Sequence, residues 1–155
     1  METQANALSK NQEHANGYTK HHDVTSAPHS SNSVQTQQTK PRHTLLARDG
    51  NTYTPLRIKQ IAVFISCKKS VMAIDFSGSK HHIDESLTDV ESLLDGPHFF
   101  RVNRNTILHV EAIRTFRIIE FGKIDVDLIN PDWLEEDVHI SQYRAPRFRE
   151  WISGL

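Results

Sequence analysis

Two arginines and two asparagines crowd into Phe100-Arg101-Val102-Asn103-Arg104-Asn105, interrupted by a single valine. Guanidinium and carboxamide groups are the side chains that bond two atoms of a guanine or adenine edge at once. They also suit phosphate oxygens. Such a segment cannot be buried whole, because each guanidinium would need a partner. Phe99 precedes it and Thr106-Ile107-Leu108 follow. The expected form is a strand end and loop that pushes fork-shaped donors outward. A short Arg-rich loop is far more often plain solvated surface, so the chemistry needs support from the rest of the chain.

Other chemistries find little to work with. Cys67 is the single cysteine and sits in an apolar run, so it forms no intrachain disulfide. It reads as a buried structural thiol in a reducing compartment. Cys67 with a distant histidine is the one nucleophile–base pairing on offer, and a buried strand position argues against it. No Gly-rich phosphate loop is present. His81 and His82 would point to opposite faces of a strand and make poor co-ligands. His14, His21, His22 and His29 come without cysteine, and their spacing fits no standard zinc site. The reading is therefore a non-enzyme with no metal and no cofactor.

The 155 residues carry a formal charge of -1. From residue 41 on, 15 Lys and Arg stand against 16 Asp and Glu. There is no global basic field to attract a polyanion. Any DNA-binding face must be a local patch with the acids segregated elsewhere. No apolar stretch reaches the ~18–20 residues that span a bilayer, and the N-terminus lacks a signal-peptide core. A cytoplasmic protein is expected. Residues 1–41 are rich in Gln, Asn, Ser, Thr and His, with Leu8, Tyr18, Val24 and Val34 too scattered to build a core. Such a stretch cannot offset its ordering entropy. The expected organisation is a disordered polar tail over 1–41 and one domain over 42–155.

The elements that must position the arginines can be read along this domain. His43 to Arg48 predicts a first strand, Asp49-Gly50-Asn51 a turn, and Thr52 to Leu56 an extended segment that Pro55 confines to an edge. Ile61 to Ser66 is a β-branched and aromatic run of strand length. Lys68-Lys69-Ser70 is a polar loop and Val71 to Asp75 its return strand. A short strand follows at Lys80 to Ile83. Ser86-Leu87-Thr88-Asp89 resembles a capping box with Asp in place of Glu. Leu87, Val90, Leu93 and Leu94 then fall on one helical face, and Gly96 and Pro97 stop a helix of two to three turns. With acids clustered at its start, this helix braces the sheet and does not enter a DNA groove.

Past the signature, Ile113 to Ile119 is extended. In the strand after it Ile124, Val126 and Leu128 alternate inward with Asp125 and Asp127 outward as a solvated face. Asn130-Pro131-Asp132 is a turn, and Trp133-Leu134 an apolar plug. Asp137 to Ser141 is the final strand. Pro146 suits a helix first turn, with Phe148, Trp151 and Ile152 as the docked face.

Phe100-Arg101-Val102-Asn103-Arg104-Asn105-Thr106-Ile107-Leu108, followed by Ile113, resembles the central signature of the LytTR family of bacterial DNA-binding domains. That pattern runs Phe-x-Arg-x-His-Arg-Ser, an apolar run and an Ile. Arg101 and Arg104 match, while Asn103 stands where His is usual and Asn105 where Ser is usual. The likeness covers residues 43 to 153. It implies a mainly β fold of antiparallel sheets, with one short internal helix and a short C-terminal helix. It further implies that loops at one edge enter the grooves of double-stranded DNA.

Three loops are then the candidate interface: Lys68-Lys69-Ser70, Asn103-Arg104-Asn105 and the Gln142 to Arg144 turn. Arg104 and Asn105 are expected at base edges; Arg101, Lys68 and Lys69 at phosphates. In the third loop the family reads Val-Ser-Arg and then an aromatic. Ile140-Ser141 fit that pattern, but Gln142 replaces the arginine and Arg144 lies two positions on, so either could make the contact. The resemblance implies a transcription regulator and a homodimer on DNA. Forty polar residues are no receiver domain, so either a sensor kinase or receiver protein is a separate chain, or this sequence is a fragment, or the tail itself takes a partner. The alternative is a LytTR-like interaction module that modulates a regulator without touching DNA, which the neutral charge and the departures at Asn103, Asn105 and Gln142 favour.

Overall fold

Ile61-Ala62-Val63-Phe64-Ile65 is apolar on both faces, so the strand it forms must be covered from both sides. A computed structural model, which describes residues 43–68, 70–94 and 96–155, meets that demand with two sheets and two helices. The order is β1 (Thr44–Asp49), β2 (Thr52–Arg57), β3 (Ile61–Cys67), β4 (Ser70–Asp75), β5 (Lys80–Ile83), α1 (Leu87–Leu93), β6 (Phe99–Arg101), β7 (Thr106–His109), β8 (Ile113–Ile118), β9 (Ile124–Leu128), β10 (Val138–Ile140) and α2 (Ala145–Ser153). The larger sheet runs β2-β1-β5-β4-β3-β7-β6 and the smaller β10-β9-β8. Every pairing is antiparallel. The mainly β fold with a short internal helix and a C-terminal helix is as expected, and Pro55 lies on β2, an edge strand.

Two cores cover the larger sheet. Phe64, Ala73, Ile83 and Ile107 pack with Leu87, Val90 and Leu93 of α1 on one face. Val63, Ile74 and Leu108 pack with Ile124, Val126, Trp133 and Phe148 on the other, under the smaller sheet and α2. Strict alternation would send Ala62 and Val63 to opposite faces. A register shift between Ile61 and Val63 puts both in the second core, and alternation then resumes with Phe64 and Ile65.

The capping box at α1 forms in full. Ser86 Oγ accepts from the Asp89 amide at 3.2 Å, and the Asp89 carboxylate accepts from the Ser86 amide at 3.3 Å. The helix ends sooner than the pattern suggests. Leu94 is already extended, while Gly96 takes its positive φ of 74° two residues later. Leu94 leaves the helical face yet still packs on the first core, so burial is served without another turn.

Two further expectations change. Asp125 is buried, with Arg117 donating to its carboxylate and His139 Nδ1 at 3.1 Å. It is a paired group between β8 and β10 and not a solvated one, because β9 is the central strand of its sheet. Cys67 is half-buried at the end of β3 and not sealed in the core. The tail over 1–41 and Lys69 lie outside the described residues. Among the described residues no helix is long and apolar enough to cross a membrane.

Candidate nucleic-acid interface

The two-residue period of β6 sorts the signature before any loop begins. Phe99 faces the α1 core, tilted against Phe64 at 5.8 Å. Phe100 faces the other core, where its ring meets Phe148 at 5.6 Å and Trp151 at 5.2 Å. Arg101 follows Phe99 to the α1 side, and Val102 follows Phe100 and is fully buried. The apolar residues therefore clamp the strand from both faces, up to the point where Asn103 leaves it.

Arg101 does not project outward. Its Nη1 reaches Glu91 Oε2 at 2.8 Å and Thr88 Oγ1 at 3.2 Å on α1. Its Nη2 donates to the Arg104 carbonyl at 2.9 Å, and its Nε to the Asn103 carbonyl at 3.4 Å. One guanidinium thus ties the loop back onto the helix. Only 18% of its side chain is exposed, too little to offer a phosphate a free fork. Asn103 is likewise turned inward: its Oδ1 accepts from the Asn105 amide at 2.8 Å, an Asx turn that shapes the loop. The Val102 amide donates to the Thr106 carbonyl at 3.0 Å, and the Ser66 amide to the Asn105 carbonyl at 2.7 Å. Backbone and neighbours hold the loop, and the side chains of Arg104 and Asn105 stand exposed on it.

The other two loops border this one. The bond from Ser66 brings the end of β3 against Asn105, next to the tight turn in which Cys67 and Ser70 pair. Lys68 is exposed there with φ of 54°, the left-handed geometry that a two-residue hairpin demands. Ser70 is half-buried, and its hydroxyl donates to the Cys67 carbonyl at 3.3 Å. On the opposite flank the Arg144 guanidinium donates to the Arg101 carbonyl, joining the start of α2 to the end of β6. Gln142 and Tyr143 are exposed in the turn before it, Tyr143 by 86%. Arg147 and Arg149 are exposed on α2.

Some of these partners were hidden in the sequence. Thr88 and Glu91 lie three apart on α1, beside the buried stripe of Leu87, Val90 and Leu93. That spacing puts both on one flank of the helix, but nothing in the sequence says which strand passes it. Glu135, Glu136 and Asp137 were also unforeseen neighbours. With Asn103, Arg104, Asn105 and Thr106 they line a cavity of about 530 Å³. One wall of the signature loop is therefore acidic.

The LytTR family model, described as the LytTr DNA-binding domain, matches residues 51–153. The chain belongs to the LytTR family. LytTR domains are DNA-binding domains and not enzymes. Among solved structures, a chain described as the LytTr DNA-binding domain of a methyl-accepting/DNA response regulator from Bacillus cereus is similar, with a TM-score of 0.60 and 19% identity. The match covers 72% of this chain and 97% of that one. At this identity the likeness establishes the LytTR fold alone. No curated protein matches the chain in sequence.

Proposed function

We propose that this LytTR chain binds double-stranded DNA in a sequence-specific manner as part of a bacterial transcription regulator. The observation that carries the reading is the division of labour within the signature: Arg101 and Asn103 fix the loop, and Arg104 and Asn105 are left exposed on it. A loop backbone already held spares its own ordering cost on binding, leaving only the two side chains to be ordered. Arg104 then reads guanine and Asn105 adenine by paired hydrogen bonds. Lys68 and Lys69, its neighbour in the sequence, take phosphate. In the third loop Gln142 is the base-facing residue, because the Arg144 guanidinium is already bonded to the Arg101 carbonyl. Arg101 and Arg144 are positioning residues in this scheme. The input comes from a sensor kinase or receiver on another chain, and the protein binds its site as a homodimer.

The test is a titration of the purified chain against a mixed pool of short duplexes at low and moderate salt. One recurring motif should be enriched, with binding weakened by salt and by Arg104→Ala. Equal capture of all duplexes, or none, would count against sequence reading. A second reading, an interaction module that leaves DNA alone, draws on the acidic wall of Glu135, Glu136 and Asp137 beside the loop. It predicts no salt-dependent retention of any duplex and capture of a protein partner in its place.

A further inference from the structure

At the other end of the larger sheet lies a second cavity, of about 490 Å³. β3 runs from Ile61 beside it to Cys67 beside the signature loop, and seven residues at about 3.3 Å each separate the two by roughly 20 Å. Its polar lining is His43, Thr44, Arg57, Lys59, His98 and His109, and its apolar lining is Ile58 and Phe99. No carboxylate lines it among the described residues. Two fixed cations and three imidazoles thus surround one space without a counter-charge in its walls.

His109 gives this cavity a directed donor. The ring is buried, stacked on His98 at 5.8 Å and edge-on to Phe99 at 4.8 Å. Its Nδ1 accepts from the Glu111 amide at 3.1 Å. A neutral imidazole that accepts at Nδ1 carries its proton on Nε2. Nε2 has no partner among the described residues. Burial, aided by the neighbouring His98 and opposed by Glu111, favours that neutral form. An N–H donor with Arg57 and Lys59 beside it is the set that binds a phosphate group through charge-assisted hydrogen bonds. The volume is that of a small-molecule site and exceeds what a bare ion needs, and Ile58 and Phe99 offer surface to carbon.

We propose that this cleft is a binding site for a small organic phosphate, separate from the DNA-facing loops. The phosphate sits among Arg57, Lys59 and His109 Nε2–H, and the carbon portion rests on Ile58 and Phe99. The inference does not depend on DNA binding and stands if the chain proves to be an interaction module.

The experiment follows imidazole and backbone amide resonances of the full chain during titration with inorganic phosphate and, separately, with glycerol 3-phosphate. The expected result is a saturable shift of His98 and His109 while Arg104 and Asn105 amides stay still. Tighter binding of glycerol 3-phosphate identifies an ester as the ligand class. Tighter binding of inorganic phosphate identifies the free ion and overturns the organic part of the assignment. Arg57→Gln with Lys59→Gln changes two exposed residues and should weaken binding at least tenfold. Absence of a saturable shift, shifts confined to the signature loop, or binding unchanged in the double variant would each overturn the site. A short duplex in a third arm should move Arg104 and Asn105 and leave His98 and His109 where they are.

Discussion

The two ends of the larger sheet both gather basic side chains, and they use them in opposite ways. At the signature end, Arg101 and Arg144 are committed to the protein's own carbonyls. The charge there is largely structural, and the groups left for a partner are Arg104, Asn105, Gln142 and Lys68. At the far end, Arg57 and Lys59 line a cavity with three histidines, and no carboxylate lines it among the described residues. On composition alone both ends would pass as basic. The hydrogen bonds mark the signature end as a scaffold that presents donors, and the lining marks the far end as a basic pocket.

The most damaging way to break the contrast is to remove the scaffold. Arg101→Ala frees the Asn103 and Arg104 carbonyls, and refixing about three loop residues at ~1 kcal/mol each on binding amounts to roughly 3 kcal/mol, about a hundredfold in affinity. Fluorescence anisotropy with the selected duplex measures this, and undiminished affinity would return Arg101 to the surface. Arg104→Ala should cost about 1–3 kcal/mol on the preferred sequence, while its melting temperature stays that of the parent. The pairing of the two variants sharpens the comparison, because only the first should also lower stability.

The far end can be probed by acid. Burial and His98 hold the His109 pKa below its ordinary value against the pull of Glu111. The unfolded chain then takes up a proton at about pH 6.5 that the folded chain resists. Stability from this site is full above that pH and declines as pH falls through it. Melting curves at pH 7.5 and 5.5 should show a smaller drop in His109→Asn, which can still accept from the Glu111 amide, than in the parent. An equal drop would remove His109 as a source. The smallest change expected is electrostatic. Glu135→Gln with Glu136→Gln, beside Arg104, should raise affinity for arbitrary duplex a few-fold at low salt, and the gain should vanish as salt screens it.

Much of this was open to reading in the sequence. The strand end before the signature loop and the capping box of α1 are local patterns, and the structure bears them out in β6 and Ser86. Legibility stopped where contacts are distant in the chain. Arg101 meets Glu91 ten residues away and Arg144 forty-three residues on, so no spacing rule could show that both guanidinium groups bond to the protein itself. Asp125 misled for a related reason. Alternation marks it as outward, but the neighbouring strands supply Arg117 and His139 to that face. The far-end cavity draws its lining from β1, β2, β6 and β7 and the turn after β2, and His43, His98 and His109 gave no sign of being neighbours.

Trp151 lies stacked on Phe100 at an interplanar angle of 28°, and its indole N–H donates to the Pro97 carbonyl. Phe100 is the residue before Arg101, so this fluorophore is stacked on a ring one peptide bond from the root of the signature loop. Trp133 is buried but lines the cavity beside the signature loop, so Trp133→Phe isolates the Trp151 signal. Ultraviolet excitation near the red edge of tryptophan absorption therefore reads the state of β6 without any label. Engagement of the loop that tugs on β6 would register as a change in Trp151 emission, which gives the molecule a native optical gauge for its own encounters.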